Sequence, residues 1–276
     1  MNSVDTQYVQ LIDHILTNGI NHQDRTGVGT LRVFGHSMRF NLNEGFPAIT
    51  VKRIGFKNTV AELLWFIQSK YKDCKISDLE SIYPSAKKWW VDFEKEDNTI
   101  GPMYTRQLTN FNGQALNQID RLVNRIKSNP NSRRHLLTTY NPLEADEGSL
   151  YVCHGLTTMF TVDNGVLNCG TVQRSADTML GIPANIASYT LLTYIIAQVC
   201  NLKVGELYYT FMDAHIYSNH IEAAKEIIRR YREEQLYTLP TLKLNPNIKN
   251  IDDFKLDDFQ LENYQSLPSI KLPIAI

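Results

Sequence analysis

Apolar residues recur at helical spacing near the start of the chain: Val4, Tyr8, Leu11, Ile12, Ile15 and Leu16, with Gly19 as a stop. The period then shortens. Leu31, Val33, Met38, Phe40 and Leu42 suggest a strand, and Gly35 marks a position suited to a bulge. Residues 60–68 are apolar on most sides, carry one carboxylate in Glu62-Leu63-Leu64-Trp65-Phe66, and predict a helix. Leu116, Ile119, Leu122, Val123 and Ile126 mark a cleaner amphipathic helix, ended by Asn129-Pro130. Residues 159–162 and 166–172 are β-rich and flank Asn164-Gly165, the strongest kind of short hairpin signal. Residues 185–202 are apolar on nearly all sides, which predicts a buried central helix, and residues 218–234 predict a charged surface helix. Helices and strands mix without the regular alternation of a doubly wound fold, so the expected class is α+β.

Composition narrows this picture. With 276 residues, 43% hydrophobic, and no Pro/Ser-rich linker, the chain suits one elaborated domain, residues 1–276, with a substantial core. A net charge of -1 argues against non-specific nucleic-acid binding, so no DNA partner is expected. Cys74, Cys153, Cys169 and Cys200 are widely spaced without a C-x-x-C pair, so neither a zinc site nor a disulfide framework is expected. No basic-then-apolar leader opens the chain, and no apolar run reaches about 18 residues, so neither secretion nor a membrane span is expected. A reducing cytoplasm is the expected setting (a host's, for a viral protein), and it would keep Cys153 free.

The densest chemistry lies in one span. Cys153-His154 precedes Gln173-Arg174-Ser175-Ala176-Asp177, and Leu180-Gly181-Ile182-Pro183-Ala184-Asn185 follows at once. A thiol attacks as thiolate, and its pKa falls beside Arg or His⁺. The Asn185 amide has both donors and acceptors, which suits the edge of a nucleobase. Any one of these residues has a bland reading, since a Cys beside a His is usually a small buried hydrophobe. The ordered set is harder to dismiss.

These residues resemble the thymidylate synthase family almost from end to end. The likeness begins at Asp24-Arg25-Thr26-Gly27-Val28-Gly29-Thr30 and runs through Glu62-Leu63-Leu64-Trp65-Phe66, Gly101-Pro102-Met103-Tyr104, Ser132-Arg133-Arg134 and Cys153-His154. It continues through Gln173-Arg174-Ser175, Asp177, Leu180-Gly181 and Asn185-Ile186-Ala187-Ser188-Tyr189, then Asp213-Ala214-His215-Ile216-Tyr217-Ser218-Asn219-His220, and closes on Pro273-Ile274-Ala275-Ile276.

The resemblance implies a large mixed β-sheet with helices around a central buried helix, and a one-carbon transfer to dUMP from 5,10-methylenetetrahydrofolate as co-substrate, with no metal. Cys153 would attack C6 of the uracil ring and form a covalent adduct. Arg25 and Arg174 would grip the phosphate, Ser175 would add a hydroxyl, and Arg133 and Arg134 would reach in from the partner of a homodimer. Alone, Arg133-Arg134 reads as a solvated loop. Asn185 would read the uracil edge, where a carboxylate would suit cytosine instead. His215 and Tyr217 would bind the deoxyribose 3′-hydroxyl. Glu62, Tyr104 and His154 would organise water and proton transfer, and Asp177 would join the catalytic set. The folate would meet Trp90, Asp177, Leu180, Gly181, Tyr217, Ala275 and Ile276.

The chain departs from the family pattern mainly on the folate side. Ala184 stands where Phe is usual, Phe93 replaces a second Trp, and Gly55 stands where His is common. Thr105 and Leu108-Thr109 replace a Gly and a Trp-Arg pair, Thr158 or Met159 falls where a Gln is expected, and Met212 replaces a Gly. A synthase excludes water so that folate hydride reduces the methylene. A deoxyuridylate hydroxymethylase lets water add instead, and a more open pocket suits it. Trp90, Tyr217 and Ile276 favour the synthase. A third alternative is a nucleotide-binding homologue without turnover, against which Cys153, Glu62 and Asp177 speak.

Overall fold

A computed structural model describes residues 2–23 and 25–275. The expected N-terminal helix is α1 (Ser3–Asn18), whose Asn2 cap accepts the Asp5 backbone N–H and whose buried stripe is Val4, Tyr8, Leu11, Ile12 and Ile15. Helix α2 (Phe56–Ile67) holds Glu62. Two short helices follow, α3 (Ile76–Ile82) and α4 (Tyr104–Thr109). The amphipathic segment is α5 (Gln118–Ser128), capped by Asn117, with Leu116 left outside it in a bridge to Phe111. The central helix is α6 (Gly181–Val199), which starts four residues before the apolar run, at Gly181 rather than Asn185. Its length and apolarity would allow it to cross a membrane, contrary to the expectation from apolar runs, but 83% of that window is buried inside the protein. The C-terminal surface helix divides into a 3₁₀ turn, Ser218–His220, and α7 (Ile221–Glu233).

A six-stranded sheet runs in the order β1 (Ile20–His22), β2 (Thr30–Asn41), β6 (Lys203–Tyr217), β5 (Val166–Asp177), β4 (His154–Asp163), β3 (Leu136–Leu137). Among the described residues, only the β5–β6 pair is parallel, joined through α6. A small ribbon of β7 (Thr241–Leu244) and β8 (Phe259–Glu262) stands apart from it. Asn164 and Gly165 form the hairpin tip with φ of 53° and 78°, the left-handed values that a type I′ turn requires. Helix α6 packs on β5 and β6 and against α2, while α1 covers β2 and β6.

The bulge expected at Gly35 takes another form. Gly35 has φ 73°, yet the β2–β6 register keeps one offset from Thr30↔Tyr217 to Asn41↔Glu206. What slips is the side-chain alternation, in three strands together. Buried positions change from Phe40 and Met38 to Val33 in β2, from Leu207, Tyr209 and Phe211 to Ala214 and Ile216 in β6, and from Leu167 and Cys169 to Ala176 in β5. Strands that slip together keep their pairing. Beyond the slip, Arg32, Ser175, Asp177, Asp213, His215 and Tyr217 turn to a cavity.

Candidate active site

Parallel pairing sets Ser175 opposite Asp213 and Asp177 opposite His215, and antiparallel pairing sets His154 opposite Gln173. The end of β5, the end of β6 and the start of β4 therefore meet at one edge. They wall a cavity of about 670 Å³ with the first turns of α6 and one face of α2. Most of the expected residues line it: Arg25, Glu62, Trp90, Tyr104, Cys153, His154, Arg174, Ser175, Asp177, Leu180, Gly181, Asn185, His215, Tyr217 and Ala275. Ile276 lies outside the described residues. Arg133 and Arg134 are exposed and do not line this cavity.

Cys153 Sγ is 3.9 Å from the Arg174 guanidinium and donates weakly to the Tyr151 carbonyl at 3.4 Å. Arg174 is fixed by the carbonyls of Val152 and Tyr151 and lies over the Tyr151 ring. The expected thiolate-favouring setting is only half present. Burial raises the Cys153 pKa, and Arg174 and Arg25 oppose that rise. His154 gives no cationic help, because burial lowers its pKa to about 4. Its ring stacks on Tyr104 at 4.5 Å, and its Nδ1 meets the Tyr189 hydroxyl at 3.0 Å.

Glu62 sits among Trp65, Phe66 and Trp90, and burial raises its pKa to about 7, against a hydrogen bond from Trp90 Nε1 at 2.6 Å. At neutral pH this carboxyl can either give or take a proton. The Asn185 amide is oriented by a chain of bonds. Gln173 Nε2 donates to the Ser175 carbonyl, so Gln173 Oε1 is left to accept from Tyr209 at 2.9 Å and Asn185 Nδ2 at 3.2 Å. Asn185 thus keeps its Oδ1 and one N–H for a ligand. Gln173 stood in the sequence motif without a role, and Tyr209 was missed because its apolar ring fits the strand alternation.

Sequence reasoning also passed over Arg32 and left Asp213, quoted in a motif, without a role. Asp213 accepts from Arg32 at 2.8 Å and from His215 Nδ1 at 2.9 Å. Burial opposes its ionisation, but those two bonds hold its carboxyl below the usual range. His215 is thereby turned with Tyr217 against it, 5.2 Å between ring centroids. Asp177 Oδ1 accepts the backbone N–H groups of Met179 and Leu180, which fixes the turn into α6. Trp89, Trp90, Phe93, Leu180 and Ile274 add apolar and aromatic surface to the cavity lining, which suits packing against a flat ring. Among the described residues, no group of three or more His, Cys, Asp or Glu is placed to hold a metal.

The family model for thymidylate synthase matches residues 6–276, essentially the whole length. The chain belongs to the thymidylate synthase family.

Proposed function

We propose that this member of the thymidylate synthase family methylates dUMP to dTMP at C5, through a covalent adduct on Cys153. The observation that carries the reading is the convergence on one cavity of the Cys153 thiol, the Arg174 guanidinium, the Glu62 carboxyl and an Asn185 amide of fixed orientation. Asn185 Oδ1 would accept the uracil N3–H, and its free N–H would donate to O4. The Cys153 thiolate, steadied by Arg174, bonds to C6 and sends the electron pair toward O4, where the Asn185 N–H stabilises it. Bound folate supplies the one-carbon unit and the hydride. Glu62 moves protons at the ring through water, while Tyr104 stacks its ring on His154 and its hydroxyl oxygen accepts the Cys153 N–H at 3.2 Å. Arg25, Arg174 and Ser175 hold the phosphate, and His215 and Tyr217 hold the sugar.

The proposal includes a homodimer. Arg39, Tyr208, Gly170, Met159 and Leu136 stand side by side across β2, β6, β5, β4 and β3, so they share one sheet face. Leu136, Met159 and Tyr208 are 44%, 44% and 42% exposed there. A second copy on that face would cover them and bring its Arg133 and Arg134, just before β3, to this cavity. One observation favours a second reading, hydroxymethylation of dUMP: Gly55, Phe93 and Ala184, each smaller than the residue usual in the family at its position, all line the cavity.

Cys153→Ser tests the chemistry. Turnover should fall on the order of 10⁴-fold or more, while dUMP binding by calorimetry stays near wild type. Retained turnover would remove Cys153 from the mechanism.

A further inference from the structure

Arg174 reaches from β5 to the carbonyls of an irregular stretch. Residues 148–153 run between a 3₁₀ turn, Ala145–Glu147, and the start of β4, outside any helix or strand. Within them the Val152 carbonyl accepts the Arg174 Nε–H at 3.2 Å, and the Tyr151 carbonyl accepts an Nη2–H at 3.0 Å. The same Tyr151 carbonyl accepts the Cys153 thiol at 3.4 Å. A guanidinium held by loop carbonyls is placed only as firmly as the loop.

Tyr151 adds a second hold through its side chain. Arg174 Cζ lies 5.2 Å from the centroid of its ring, inside the distance of about 6 Å at which a cation and a ring attract. The far end of that ring is tied in turn, by a hydrogen bond of 3.2 Å between the hydroxyls of Tyr151 and Tyr140. Tyr140 stands just past β3 and has firmer support. Its N–H donates to Thr138 Oγ1, which itself donates to the Leu156 carbonyl in β4. Both tyrosines lie outside the motifs that carry the site.

We infer that Tyr151, tied by Tyr140, is a positioning residue for Arg174, and that its ring keeps the guanidinium where it serves both the Cys153 sulfur and the nucleotide phosphate. The phosphate half rests on the one-carbon-transfer reading above. The sulfur half rests on the 3.9 Å contact between Arg174 and Cys153. The titratable groups that face this sulfur are Arg174, Arg25, Tyr104 and Tyr209. Burial raises the Cys153 pKa, and the two cations oppose that rise. A loosened Arg174 therefore leaves less thiolate at neutral pH and slows attack by the sulfur.

The test is alkylation of Cys153 by iodoacetamide in the full chain, followed by the mass of its peptide from neutral to alkaline pH. It needs no turnover. Tyr151→Leu should slow alkylation at neutral pH about two- to fivefold, the scale of an exposed cation–π contact, and move the titration midpoint upward. Tyr151→Phe keeps the ring and loses the tie to Tyr140, so its rate should fall between Tyr151→Leu and wild type. In an Arg174→Gln background, Tyr151→Leu should have no further effect, because a residue that acts through Arg174 has nothing left to position. The dUMP concentration that half-protects Cys153 should rise with Tyr151→Leu by a similar factor. Wild-type alkylation in Tyr151→Leu, or a further slowing in the Arg174→Gln background, would overturn the inference. A Tyr151→Phe rate equal to that of Tyr151→Leu would overturn the role of the ring. If wild type makes no product from dUMP and methylenetetrahydrofolate, the one-carbon reading falls, while the alkylation rates still decide the role of Tyr151.

Discussion

At Cys153 the thiol faces Arg174, while its neighbour His154 turns away to Tyr104 and Tyr189. The two adjacent letters therefore do separate work, a division that chain order alone does not reveal. Activation by a charged His was a natural expectation, and the burial that neutralises His154 cancels it. Glu62 offers a test at the same scale. Burial raises its pKa from 4.5 to about 7, so the folded protein binds that proton more tightly than the unfolded chain. Stability should then fall as pH climbs from about 4.5 to about 7, with the loss complete above that window. Glu62→Gln should flatten this part of the melting-temperature profile. The kcat/KM profile of wild type should also carry a titration near 7 that the Gln variant lacks. The same inflection in both proteins would assign it to another group.

Elements with a clear period were legible in the sequence. Helix α1, the amphipathic α5, the Asn164-Gly165 hairpin and the buried α6 all stand close to where the pattern predicts them. What was not legible is the slip that re-aims the ends of β2, β5 and β6, because it is cooperative between strands and no strand announces it alone. The break between His154 and Thr157 in β4 belongs to the same kind of feature. Gly155 there has φ 69°, and a Cβ on it would stand 2.1 Å from the Tyr189 hydroxyl. Left-handed strain and overpacking each cost a few kcal/mol at most, so Gly155→Ala should destabilise the protein by about 2–4 kcal/mol and disturb the His154–Tyr189 contact. Denaturant unfolding checks this, and a change below about 0.5 kcal/mol would mean the loop yields freely. The site residues themselves were readable through family motifs, whereas Gln173 and Asp213, quoted in those motifs without a role, and Tyr209 and Arg32, outside them, take their roles from the pairing that brings them together.

Across the whole molecule, the sheet has a covered face and an uncovered one. Helices α1 and α6 cover the first, and the row through Tyr208 and Met159 lies on the second. Met159→Asp would place a charge in the middle of that row, where the proposed partner would have to desolvate it. Sedimentation should show a dimer in wild type and a monomer in the variant, and a variant that stays dimeric would place the interface elsewhere. A monomer should also bind dUMP less tightly, having lost the partner's Arg133 and Arg134. All of this serves one claim, that the cavity moves a one-carbon unit to C5 of dUMP. The most direct measurement is the mass of the nucleotide recovered after incubating the protein with dUMP and methylenetetrahydrofolate. The account predicts dUMP made heavier by CH₂, a gain of CH₂O instead would select the hydroxymethylation reading, and dUMP recovered unchanged would contradict it.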